Sequence, residues 1–264
     1  MRRTRIAAYV ASLLLATGFT LAGAGSSQAA TGGYVALGDS YSSGVGSGSY
    51  ISSSGDCDRS TKAYPYLWNA AHGPSSFAFN ACSGATTDDV LAGQLGSLNS
   101  ATGLVSITIG GNDAGFADVM TTCVISSDST CLSRINTARA YVDSTLPGKL
   151  DAVYNAISAK SPSARVVVIG YPRFYLLGQS CLGLSETKRS AINSAADYMN
   201  SAIQKRAQAH GFVFGDVRTT FTGHEICSSN SWLHSVNWTN IGESYHPTAA
   251  GQSGGYLPVL TNAA

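Results

Sequence analysis

Three residue types in this chain could act together on a carbonyl compound. Ser40 closes Gly38-Asp39-Ser40, directly after the apolar run Tyr34-Val35-Ala36-Leu37 and before a loop rich in glycine and serine. A serine hydroxyl is a weak nucleophile until a neighbouring base accepts its proton. Histidine is the usual base, because imidazole titrates near neutrality. Of the five histidines, His246 has the most suggestive setting, Glu243-Ser244-Tyr245-His246-Pro247. Pro247 can open a helix and so fix the backbone just after the imidazole. An attacked carbonyl also needs donors for its developing negative charge. Loop amides and an asparagine side chain suit that task, at about 3 kcal/mol per donor. Asn112, in Gly110-Gly111-Asn112-Asp113, is such an asparagine.

These residues work together only if folding gathers them. Short apolar or β-branched runs predict strands over Tyr34–Leu37, Phe77–Ala81, Leu104–Ile109, Val166–Ile169 and Phe212–Phe214. Helices are expected over Tyr64–Ala71 and Thr87–Leu95. Further helices lie between Asp118 and Ser161, broken by the Cys123–Cys131 loop and by Pro147. A long helix capped by Ser185 runs to His210, with Ile192, Ala195, Ala196, Met199 and Ile203 on its apolar face. Thr219–Tyr245 reads as irregular, and a final helical turn or two follows Pro247. Strands alternating with helices predict an α/β fold, a parallel sheet covered on both faces in three α/β/α layers. With the common strand order 2-1-3-4-5, ligands bind beyond the carboxyl ends of the strands at the switch point. Ser40 lies three residues past Leu37, and Asn112 three past Ile109. One crevice can therefore receive both.

Four short blocks occur in order: GDS at Gly38–Ser40, SGA at Ser83–Ala85, GGND at Gly110–Asp113, and HP at His246-Pro247. Together they resemble the blocks of the GDSL, or SGNH, esterases and lipases, and within that family the secreted actinobacterial lipases and phospholipases A1. The resemblance spans nearly all of the chain after its first segment. It implies a flavodoxin-like sheet, Ser40 as nucleophile and His246 as general base. It also implies an oxyanion hole made by the Ser40 and Gly84 amides and the Asn112 side chain. The implied substrates are lipid esters, triacylglycerol or phospholipid, and no metal or organic cofactor is required. One position departs from the pattern. Many members carry Asp three residues before the histidine, and here Glu243 stands there. Some similar actinobacterial enzymes use a backbone carbonyl two residues before it, which would be that of Ser244. Either could hold the imidazole in its working tautomer; the Ser244 carbonyl is slightly favoured. The rival functions are a carbohydrate acetylesterase of the same family and a secreted binding protein without chemistry.

Composition bounds the rest. A hydrophobic content of 44% against 12% charged residues suits a folded chain and not a disordered one. The formal net charge is +1, and no basic run offers a footprint for nucleic acid. Arg2, Arg3 and Arg5 precede the mostly apolar Ile6–Leu21, and Ser27-Gln28-Ala29 ends the segment. That pattern predicts a secretory signal over 1–29, leaving 30–264 as a single catalytic domain. Ser12, Thr17, Gly18 and Thr20 interrupt the apolar run, which argues against a membrane anchor. The mature protein is expected outside the cell, as a monomer that touches lipid surfaces transiently.

All six cysteines lie after that segment, so disulfides are the natural reading. Pairing in chain order gives Cys57–Cys82, Cys123–Cys131 and Cys181–Cys227; no CxxC spacing suggests a metal. Several other features read as structural. Asp39 shapes its turn, Asp113 serves as a cap, and His72, His210 and His234 are packing or surface residues. His224-Glu225 begins like HExxH, but Ser228 stands where the second histidine belongs. Tyr41-Ser42 after Ser40 lacks the second glycine of a GxSxG elbow, so the ordinary α/β-hydrolase pattern is absent.

Overall fold

The computed structural model describes residues 32–264; the expected signal segment lies outside the described residues. Five strands, β1 (Gly33–Gly38), β2 (Phe77–Phe79), β3 (Thr102–Thr108), β4 (Arg165–Ile169) and β5 (Val213–Gly215), form one sheet. Its order is β2-β1-β3-β4-β5, and every neighbouring pair is parallel. The expected flavodoxin-like order is therefore present, with the switch point between β1 and β3. Two strand boundaries differ from expectation by two residues, and the others by at most one. β3 starts at Thr102, because Thr102 pairs with Gly33. β2 stops at Phe79, because the Asn80 and Ala81 amides both turn to the Ala36 carbonyl and end the ladder. Leu104, Ile107, Val167 and Val168 are fully buried, as strands covered on both faces require.

The helices are α1 (Ser40–Ser43), α2 (Tyr64–His72), α3 (Thr87–Asp89), α4 (Phe116–Ile125), α5 (Asp128–Ser144), α6 (Leu146–Lys160), α7 (Glu186–Ala209) and α8 (Leu257–Ala263). α2 and α8 pack together as one cover, and Trp68 of α2 meets Tyr34 of β1 edge-on at 5.0 Å. α5, α6 and α7 pack together as the other, with α4 against α5. Local signals set their ends. Pro65, Pro147 and Pro258 sit in first turns, where a missing N–H costs nothing. Ser127 and Ser185 cap α5 and α7 by accepting backbone amides. The three disulfides pair in chain order, Cys57–Cys82, Cys123–Cys131 and Cys181–Cys227.

The helix expected over Thr87–Leu95 is a correction. α3 covers only its first three residues; a wide turn over Val90–Gln94 and a tight one over Leu95–Ser97 replace the rest. Gly93 and Gly96 weaken a regular helix there. The altered pitch delivers the Gln94 amide to the end of β1. Its Oε1 accepts from Gly38 N at 2.7 Å, and its Nε2 donates to Gly38 O at 2.9 Å. Since β2 has already ended, Gln94 satisfies backbone groups that a strand would otherwise pair.

Gly38 is the last strand residue before the Asp39-Ser40 turn. Its φ is +120°, and an added Cβ would lie 2.3 Å from the Thr108 carbonyl oxygen. Gly38→Ala is expected to cost at least about 2 kcal/mol of stability through backbone strain and displacement of β3. Urea denaturation of the purified variant measures this, and an unchanged midpoint would remove Gly38 from the account of how the turn is held.

Candidate active site

Ser40 begins α1 at the carboxyl end of β1. Asp39 caps that short helix, its Oδ1 accepting from Tyr41 N at 3.0 Å. Ser40 Oγ lies 2.7 Å from His246 Nε2, across 206 positions of sequence. His246 Nδ1 lies 3.1 Å from the Ser244 carbonyl oxygen. That oxygen only accepts, so Nδ1 carries the hydrogen and the Nε2 lone pair is left for the serine hydroxyl.

A strained residue makes the second contact. Tyr245 stands between Ser244 and His246 with φ +67°, a left-handed conformation uncommon for a residue with a side chain. This bend turns the Ser244 carbonyl back toward the imidazole two positions on. Several bonds hold it. The Tyr41 hydroxyl donates to Tyr245 O at 2.8 Å, and the Tyr175 hydroxyl to the Tyr245 hydroxyl at 3.2 Å. His234 exchanges backbone bonds with the segment, Tyr245 N to His234 O and His234 N to His246 O, both at 3.0 Å. Its ring nitrogen Nε2 meets Gly46 O at 2.7 Å. His234 is thus a strap.

Glu243, the other candidate for orienting the imidazole, does not reach it. Its carboxylate accepts from the Tyr50 hydroxyl at 2.9 Å, and only its backbone carbonyl serves the histidine, accepting from His246 N at 3.1 Å. The structure brings the Ser244 carbonyl to Nδ1 and leaves the Glu243 carboxylate on another partner.

Asn112 follows β3 in the turn that leads to α4. One hydrogen of its Nδ2 goes to Ala85 O at 2.9 Å, which ties it to the Ser83-Gly84-Ala85 turn and leaves the second available. Gly84 has φ +74°, and nothing lies within 4 Å of where a Cβ would be. Neither the Ser40 amide nor the Gly84 amide donates to a protein acceptor among the described residues. Ser40 is buried, where an uncommitted main-chain donor is unusual away from a ligand site; Gly84 is exposed, so its amide is open to solvent or to a ligand. Ser40, Gly84, Asn112, Ser244 and His246 all line one cleft of about 530 Å³, whose walls include Phe116, Met120 and Trp238.

Asp39 joins the two switch-point turns. Its Oδ1 accepts from Thr108 Oγ1 at 2.7 Å and its Oδ2 from the Tyr171 hydroxyl at 2.5 Å. The same Tyr171 oxygen accepts from Gly111 N at 3.1 Å. Burial pushes the Asp39 carboxyl up to about 6, against the pull of those donors. Burial also pushes His246 down to about 4, although the Ser244 carbonyl works the other way. The imidazole is therefore neutral, as a base must be, over the whole physiological range.

Tyr41, Tyr171 and Tyr245 position the site but carried no signal in the sequence beyond being aromatic. Asp113 accepts from Thr87 N and Oγ1 at 3.0 and 2.6 Å and so caps α3. His72 stacks on Trp68, His210 meets Asp151, and His224 stacks on Trp232; none of these three lines the cleft.

The profile of the GDSL-like Lipase/Acylhydrolase family matches residues 36–253. The chain is 73% identical over 268 residues to "Lipase 1" of Streptomyces coelicolor, across the full length of both. A solved phospholipase A1 from Streptomyces albidoflavus NA297 superposes with a TM-score of 0.87 and 68% identity, over 88% of this chain and 99% of that one. A solved extracellular lipase from Streptomyces rimosus superposes with a TM-score of 0.86 and 64% identity, over 88% of this chain and 100% of that one.

NMR titration of the His246 ring is expected to show a midpoint near 4 instead of the ordinary 6.5. Because the folded value lies below the unfolded one, the stability contributed by this group is full above 6.5 and is lost as pH falls through about 4. Glu243→Gln should leave that midpoint in place, since its carboxylate bonds Tyr50. A midpoint that moves down by a full unit in this variant would assign the carboxylate to the imidazole after all.

Proposed function

This chain belongs to the GDSL-like lipase/acylhydrolase family, and from that premise we propose a secreted enzyme that cleaves carboxylic ester bonds of lipids. The observation that carries the mechanism is the 2.7 Å contact between Ser40 Oγ and His246 Nε2, with Nδ1 held by the Ser244 carbonyl. Ser40 Oγ attacks the ester carbonyl as its proton passes to Nε2. The oxyanion of the tetrahedral intermediate receives the Ser40 and Gly84 amides and the free hydrogen of Asn112 Nδ2. Collapse breaks the bond to the alcohol, which leaves with the proton from His246. Water then attacks the acyl-enzyme, gives its proton to the same imidazole, and releases the carboxylic acid while Ser40 recovers its hydrogen. A carbonyl acceptor has no full charge, so imidazolium gains less from Ser244 than it would from a carboxylate.

The apolar wall of the cleft supports an acyl chain as the part of the substrate bound there. Its rim includes Ile125, Trp238 and Ile241, which are 73%, 76% and 64% exposed. Exposed large apolar residues grouped at a site suit contact with a lipid surface, and the protein works there transiently, as a monomer. The same wall disfavours a carbohydrate acetylesterase, whose sugar would need polar partners. Three disulfides and the extracellular S. rimosus relative support secretion. No nucleic-acid partner and no cofactor enter the scheme.

Ser40→Ala is expected to abolish both hydrolysis of p-nitrophenyl palmitate and labelling by a fluorophosphonate probe; a variant that keeps either would end the assignment. Asn112→Ala should lower kcat by about 10²–10³-fold. Glu243→Gln should stay within about threefold of wild type, where loss of an orienting carboxylate would cost about 10⁴-fold.

A further inference from the structure

Two pockets meet at the Ser83-Gly84 turn. The cleft with Ser40 and His246 lies on one side. On the other lies a pocket of about 540 Å³, lined by Arg59, Asn80, Asp89, Gln94 and Ser97. Ser83 and Gly84 line both. An ester whose carbonyl oxygen rests on the Gly84 amide can lay its acyl chain along the apolar cleft and send its alcohol portion toward the second pocket.

Arg59 is the uncommitted group there. Its guanidinium makes one long hydrogen bond, Nη1 to Ala81 O at 3.4 Å. Among the described residues no carboxylate lies within ion-pair distance of it. Of the other polar side chains of the pocket, Asn80, Gln94, Ser97 and Asp89 are engaged, and the Ser83 hydroxyl has no protein partner among the described residues. Asn80 Nδ2 donates to Gln94 O and Ser97 Oγ, and the Gln94 amide is held by Gly38. Asp89, the acid of this pocket, has its Oδ2 taken by Thr86 N at 2.8 Å and Thr86 Oγ1 at 2.6 Å. The backbone around Arg59 is fixed: Arg59 N donates to Ser54 Oγ, Ile51 N to Arg59 O, and Ser83 N to Cys57 O. The Cys57–Cys82 bridge ties this loop to the Ser83-Gly84 turn.

We propose that Arg59 binds the phosphodiester of a glycerophospholipid during hydrolysis at Ser40. This inference rests on the lipid-ester reading above and narrows its substrate class. A guanidinium presents parallel N–H donors that match two phosphate oxygens. It is half-buried and has no salt-bridge partner among the described residues, although Asp89 lines the same pocket, so a phosphodiester arriving there meets a guanidinium not paired with a carboxylate. A triacylglycerol offers it nothing, and Arg59 thereby separates phospholipid from neutral lipid as substrates.

The test compares three palmitoyl esters: dipalmitoylphosphatidylcholine and dipalmitoylglycerol in Triton X-100 micelles, and p-nitrophenyl palmitate. Arg59→Ala and Arg59→Gln are expected to lower kcat/KM on the phospholipid about tenfold or more, mainly through KM, as loss of a charge-assisted hydrogen bond does. Arg59→Lys should keep part of the activity. The other two substrates should change less than about twofold in every variant, which also reports correct folding. Equal losses on all three would make Arg59 a brace for the Ala81 turn and overturn the proposal, as would an unchanged rate on phospholipid. Wild type that cleaves dipalmitoylglycerol but not the phospholipid would overturn it and leave ester hydrolysis standing; wild type that cleaves none of the three would end both. Inorganic phosphate should compete weakly with phosphatidylcholine, and tighter binding of the free ion than of the lipid would reassign the pocket to a soluble anion.

Discussion

The hydrogen bond between Ser40 and His246 joins two ends of a long chain, and the rest of the site is arranged around keeping it. Ser40 is placed by the sheet, at the end of a strand buried on both faces. His246 has no strand or long helix to hold it; it lies on an irregular segment. Tyr41 resolves that asymmetry. It is the residue after the serine, and its hydroxyl bonds the carbonyl of the residue before the histidine. Its ring also lies against the imidazole, with centroids 5.1 Å apart. The rigid half of the site thus grips the irregular half directly, and His234 adds a second hold through Gly46.

Burial gives the site its electrical character. Asp39 and His246 are each driven toward neutrality by the loss of water, the first to about 6 and the second to about 4. Their effects on stability oppose each other. Asp39 has a folded value above its unfolded one, so its contribution is present below the ordinary value of 3.8 and is lost as pH rises through about 6. His246 behaves in the opposite sense. The Asp39 carboxylate is kept by its donors: Tyr171 binds both it and the Gly111 amide, so one buried group spaces the Asp39-Ser40 turn from the asparagine turn.

Much of this was legible in the residues because the strands announce themselves. Val166–Ile169 and Leu104–Ile109 are too apolar to be anything but covered, and a parallel sheet of known order places its crevice. Ser40 and Asn112 stood out by following such runs and His246 by the proline after it, whereas Gly84 was legible only through the resemblance of its block to the family's. What was hidden depends on long-range geometry. Nothing in Val90–Gln94 says that its pitch widens to bring an amide to Gly38. Nothing in Tyr41, Tyr171 or Tyr245 distinguishes them from packing aromatics until their hydroxyls find partners 60 or more positions away. The choice between Glu243 and Ser244 was undecidable from spacing alone, because it turns on the sign of one backbone angle at Tyr245.

That angle has an implication for how the site can be lost. The group that orients the imidazole belongs to the main chain, so exchanging the side chain at position 244 leaves it in place. The function has moved out of the alphabet of amino acids and into the shape of a bend. Its vulnerability moves with it, to whatever keeps Tyr245 in a conformation it would not choose alone. Damage to the site can then arrive through a distant phenol that no inspection of the reacting atoms would single out.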